Sequence, residues 1–112
     1  MLYDGGHVSE GVKLSHTSAL ILKTVQAGYR YGFDIMETTG LPSGTVYPAL
    51  RRLEHAGLIQ SNWEKESKAF AEQRPPRKYY KLTATGGDTL TQAVERYPLL
   101  QHVSQQDSKR RA

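Results

Sequence analysis

Apolar residues recur at helical spacing in four stretches of this chain and at alternating spacing in two. Leu14, Leu20, Ile21, Leu22 and Val25 supply the apolar face of a first helix. Ser15 or Thr17 can cap it, and Gly28 is placed to end it. A short second helix is predicted over residues 31–39, with Phe33, Ile35 and Met36 as apolar positions and Gly40 as the left-handed closing residue. The third helix is predicted over residues 43–56, where Val46, Leu50 and Leu53 fall at i, i+4 and i+7. Steps of 100° per residue then put Gly44, Tyr47, Pro48, Arg51 and His55 on the opposite face. Pro48 removes one hydrogen bond and crowds the preceding turn. Either the first turn is tight or kinked, or regular helix begins near Tyr47 with proline in its first position.

Beyond Gly57 the period changes to two. Ile59, Ser61 and Trp63 share one side of a strand, and Leu58, Gln60 and Asn62 the other. A second β-rich run at 78–83 follows a polar segment containing Pro75 and Pro76, which predicts a hairpin with a long basic tip. Trp63, Tyr79 and Tyr80 are expected to pack that hairpin onto the helices. A last helix is predicted over 84–97, capped by Thr83 and stopped by Pro98, with Leu90, Ala93, Val94 and Tyr97 as apolar positions. The fold class is therefore mainly α with a small β-hairpin, a winged helix-turn-helix in the order helix-helix-helix-strand-strand-helix. In that architecture the third helix enters the major groove of DNA and the hairpin, or wing, lies on the backbone or minor groove.

Charge sharpens this picture. The 112 residues carry a net charge of +4, and Lys65, Lys68, Arg74, Arg77, Lys78 and Lys81 place six of the 15 basic residues in one segment. Lys68, Arg74, Arg77 and Lys78 are candidate phosphate contacts of the wing. On the third helix, Gly44 has no side chain where the first turn would approach a duplex. The N–H groups of that turn and the hydroxyls of Ser43 and Thr45 can donate to phosphate oxygens. Tyr47 and Arg51 share the outward face, and Arg51 can bond guanine bidentately, worth about 1–3 kcal/mol of discrimination. The longest apolar run, Ala19 to Leu22, is far short of the ~20 residues a membrane span requires. No signal peptide is read at the N-terminus. The absence of cysteine excludes disulfides and thiolate metal sites and is compatible with the expected cytoplasmic location.

The stretch SGTVYPALRRLEHAGLI, from Ser43 to Ile59, resembles the recognition helix and first wing strand of the PadR family of regulators. YGFDIM, from Tyr31, is similar to the family's Tyr-Gly-Tyr-Glu-Ile-like second helix. RKYYKLTATG, from Arg77, resembles its second wing strand and the Leu-Thr-x-x-Gly entry to its last helix. The resemblance runs in register over roughly residues 18–92. It implies a winged helix, a homodimer, and a cytoplasmic repressor that senses a small-molecule effector at or near the dimer interface. It also implies that Ser43, Gly44, Thr45, Tyr47 and Arg51 lie at the DNA, with Arg77 and Lys78 in the wing. Many members have a substantial C-terminal helical domain, whereas only about 25 residues follow the winged core here. Dimerisation is then expected to rest on the last helix, with the first helix and N-terminal arm. Leu90, Val94, Tyr97 and Leu100 are the expected contacts, although such a stripe can instead close the protomer's own core. The resulting division is a loose arm at 1–13, a DNA-binding domain at 14–83, a dimerisation helix at 84–104 and a polar tail at 105–112.

The expected partners are duplex DNA, a second copy and an effector, with no membrane and no cofactor. An enzyme is not expected: His7, His16, His55 and His102 are scattered, with no HExxH spacing. A metal-responsive repressor would draw on His16, His102 and Asp107 from two subunits. The remaining alternative is a winged-helix adaptor for protein or RNA, since fold does not fix function.

Overall fold

The computed structural model describes residues 14–102. Ser15 opens the first helix, α1 (His16–Gln26), by accepting the Ser18 N–H on its hydroxyl at 3.0 Å. That satisfies one of the donors a helix start leaves unpaired. Ile21, Leu22 and Val25 are buried as their spacing predicts, and Gly28 follows the helix end with φ 111°. The second helix, α2 (Gly32–Thr39), closes on Gly40, whose φ is 76° and whose N–H donates to the Met36 carbonyl at 2.8 Å. Ile35 enters the core and Met36 packs against it, but Phe33 does not: it is exposed.

Pro48 lies inside the third helix, α3 (Ser43–His55), which is regular from Ser43 onward. The N–H groups of Thr45 and Val46 both donate to the Pro42 carbonyl, at 2.9 and 3.0 Å. The first turn is thus tight, and the helix does not wait for Tyr47 to begin. Val46, Ala49, Leu50 and Leu53 bury one face of α3.

Strands β1 (Ile59–Trp63) and β2 (Lys78–Leu82) pair antiparallel, from Ile59 opposite Leu82 to Trp63 opposite Lys78. The tip between them contains a short helix, α4 (Glu66–Ala71), where the sequence suggested only a loop. Ala69 anchors it by burial. Tyr80 packs inward and Tyr79 sets its ring edge-on to Tyr31, with centroids 5.5 Å apart. Trp63 departs from expectation. It is 67% exposed, because it ends β1 beyond the reach of the helical core.

Thr83 caps the last helix, α5 (Ala84–Arg96): its oxygen accepts the Gly86 N–H at 3.0 Å, and its hydroxyl donates to the Gly57 carbonyl at 2.6 Å. Gly86 is required there, since a Cβ would overlap the Leu58 carbonyl. After Pro98 the chain makes a 3-10 turn (Pro98–His102). Leu90 and Leu100 are 1% and 2% exposed within the single protomer and join the core formed by α1 and α3. Assigning them to a dimer interface is therefore corrected: their side chains already close the protomer. Val94 and Tyr97 pack at the edge of this core, and the Tyr97 hydroxyl donates to the Leu14 carbonyl at 3.0 Å. The whole is a winged helix, mainly helical with a two-stranded antiparallel hairpin.

Candidate nucleic-acid interface

Position N-cap of α3 is Pro42, which has no side-chain acceptor to offer. The N–H groups of Ser43 and Gly44 are thereby left without a capping side chain, in a turn where both residues are exposed. A Cβ on Gly44 would meet nothing in the chain, so its small size serves no internal packing and leaves open space outside the helix. Thr45 is half-buried beside them. Tyr47 and Arg51 continue the same face one and two turns along, because positions four apart superpose on a helix. Arg51 is exposed, and Tyr47 is 40% exposed with its ring lying over Gly32 of α2.

The wing faces this surface. The Arg77 guanidinium sits 4.3 Å from the Tyr31 ring centroid. The Lys78 ammonium lies 5.7 Å from the Trp63 ring and 5.9 Å from that of Tyr80. Lys78 also approaches the Glu54 carboxylate at 3.9 Å, a long and partly exposed pair of the kind worth about 0–1 kcal/mol. Its charge remains available to an outside anion. Burial, aided by Glu54, pushes the Tyr80 phenol above its usual range, which keeps it neutral. Between α3 and the wing runs an open groove of about 500 Å³, whose walls include Arg51, Arg77, Lys78, Tyr47 and Trp63. Helix and hairpin thus hold their cations around one concavity.

The family model for PadR-like transcriptional regulators matches residues 21–92, well over half of the chain. The chain belongs to this family. Its fold is shared with a PadR family transcription regulator from Clostridium difficile, at 29% identity and a TM-score of 0.65, covering 80% of this chain and 94% of that one. A PadR-like transcription factor from Bacteroides fragilis is also 29% identical, with a TM-score of 0.62 over 76% of this chain and 82% of its own. A PadR family regulator from Eggerthella lenta is 25% identical, with a TM-score of 0.62 over 84% and 79% respectively. No curated protein matches the chain. The family is one of transcriptional regulators rather than enzymes, and no described helix is long and apolar enough to cross a membrane.

Within this PadR-family chain the remaining expected site residues divide. Lys68 is exposed on α4. Arg74 is engaged internally: its two terminal nitrogens grip both oxygens of Glu64, and it reaches Glu72 at 2.8 Å. A role for Arg74 as a phosphate contact is withdrawn on that ground, since its fork is already filled by two carboxylates. The aromatic walls of the groove, Phe33 and Trp63, carried no site signal in the sequence, because isolated aromatics read as core. Only the antiparallel register that ends β1 beside Lys78 brings Trp63 to this surface. Among the described residues no three His, Asp or Glu side chains gather as a metal site. His16 instead meets the Tyr97 ring edge-on at 5.1 Å. The His102 side chain and Asp107 lie outside the described residues.

Proposed function

We propose that this PadR-family regulator binds duplex DNA sequence-specifically as a homodimer and represses transcription by occupying its operator. Helix α3 enters the major groove, where Arg51 reads a base edge and the N–H groups of Ser43 and Gly44, with the hydroxyls of Ser43 and Thr45, hold a phosphate. Tyr47 packs beside them. Arg77, Lys78 and Lys68 rest on the flanking backbone. One observation carries the reading: Arg51 of the helix and Arg77 and Lys78 of the wing border a single groove.

The dimer is proposed to form through the C-terminal end of the protomer. Leu99 is 71% exposed there, beside the half-buried Val94 and Tyr97. A two-fold dimer calls for a pseudo-palindromic operator with half-sites about one helical turn apart. The effector expected from the family is proposed to act by favouring a dimer whose recognition helices are wrongly spaced, which requires different affinity for the two states.

Salt separates this function from an adaptor role. If each protomer neutralises about five phosphates, log K falls with log salt at a slope near −4.5 per protomer. Arg51→Ala should weaken operator binding by about 1–3 kcal/mol and relax one base position. Salt-insensitive binding would favour the adaptor role, and an equal loss on every sequence would contradict base reading by Arg51.

A further inference from the structure

Glu64 is a buried carboxylate in the most basic segment of the chain. It follows β1 at the base of the wing tip, and its side chain is only 4% exposed. Three donors converge on it. Arg74 supplies both terminal nitrogens, one of them at 2.8 Å from Oε2, and the Arg77 backbone N–H adds a third bond at 3.2 Å. The Glu64 N–H in turn donates to the Arg77 carbonyl at 2.7 Å. Arg74 also bonds Glu72, so the return of the chain from α4 is fastened to the end of β1 at several points. The Arg74 guanidinium holds the Glu64 carboxyl well below the usual carboxylate range, at about 2, so this clasp is ionised at neutral pH.

The clasp connects to the recognition helix without a gap. Arg77, bonded through its backbone to Glu64, lays its guanidinium over Tyr31. Tyr31 bridges to Tyr79 of β2, and the Tyr80 N–H donates to the Arg30 carbonyl at 2.8 Å. Gly32, which follows Tyr31, lies under the Tyr47 ring of α3. Phosphate binding alone gives no reason for an anion here, since Glu64 occupies the fork of Arg74 that could otherwise meet a phosphate.

We infer that Glu64 is a positioning residue for DNA binding, which through Arg74 and the Arg77 backbone fixes where the wing cations Arg77 and Lys78 stand relative to α3. The inference rests on the duplex-binding reading above. It makes a prediction opposite in sign to simple electrostatics. Removing an anion from a DNA-binding domain raises its net positive charge and should tighten binding, whereas loosening a positioning clasp should weaken it.

The test is a fluorescence-anisotropy titration of mixed-sequence duplex DNA at low salt with the wild-type protein, Glu64→Gln, Arg77→Ala and the double variant. Circular dichroism checks the fold of each. Glu64→Gln is expected to weaken binding roughly tenfold, and Arg77→Ala should then cost much less in the Glu64→Gln background than in the wild type. Arg74→Lys keeps the charge and loses the two-pronged grip, so it should weaken binding in the same direction. It carries the test alone if Glu64→Gln does not fold. Unchanged or tighter binding by a folded Glu64→Gln or Arg74→Lys protein overturns the positioning role while leaving duplex binding intact. Absence of any wild-type binding overturns the duplex reading, and this inference with it.

Discussion

The ring of Tyr47 on α3 lies directly over Gly32 at the first position of α2, in space that a Cβ at residue 32 would occupy. This contact sets how the recognition helix meets the helix before it, at the edge of the groove that Arg51 and Arg77 share. A substituted side chain at 32 must push the ring away, and a tyrosine ring at 40% exposure can yield by rotating outward.

Gly32→Ala is therefore expected to leave stability within about 1 kcal/mol, since better helix propensity offsets the lost contact. Operator affinity should nevertheless fall, because the displaced ring intrudes on the groove. Urea unfolding and DNA titration on the same preparation check both halves. A large stability loss with unchanged affinity would show that the Tyr47 ring is structural only.

Gly86 faces a harder constraint. A Cβ there meets the Leu58 backbone carbonyl, which also accepts the Thr83 N–H at 3.1 Å and cannot move freely. Gly86→Ala should cost about 2–3 kcal/mol in chemical unfolding, in spite of alanine's favourable helix propensity. A neutral or stabilising result would show that α5 can lift from the hairpin at little cost.

Leu90 and Leu100 should behave as core. Each truncation to alanine is expected to cost about 2–5 kcal/mol of stability. Leu99→Asp should leave stability nearly unchanged and release monomers, as read by light scattering. Dimers surviving Leu99→Asp would place the interface elsewhere.

These cases show which parts of the architecture are legible before folding. The helix ends were readable because caps act locally: Ser15, Gly40 and Thr83 bond within a few residues of themselves. The faces of α1 and α3 followed from periodicity, since one side of each must be buried. Leu90 and Leu100 were ambiguous, because an apolar stripe states that it will be covered but not by which surface. Trp63 and Phe33 misled for a related reason: only tertiary placement reveals an aromatic left outside the core. Arg74 looked like its basic neighbours, and its pairing spans ten residues of chain to Glu64, a distance no local pattern encodes. Helix α4 was obscured by the prolines and charges around it, although its own residues are ordinary helix formers.

Acid should loosen the wing clasp. Glu64 titrates near 2 in the folded protein against 4.5 for an unperturbed glutamate. Its ionised form therefore contributes stability fully above about pH 4.5, and that contribution is lost as pH falls toward 2. In urea unfolding between roughly pH 5 and pH 3, the wild type should lose more stability than Glu64→Gln. Parallel pH profiles for the two proteins would contradict an ionised clasp.

Selection of bound duplexes from a random library at near-physiological salt decides whether α3 and the wing together read duplex DNA. The purified protein should enrich a pseudo-palindrome whose half-sites lie about one helical turn apart, with Arg51→Ala relaxing one position in each half. Recovery of no motif by a folded protein that still binds in low salt would contradict sequence-specific reading by this surface.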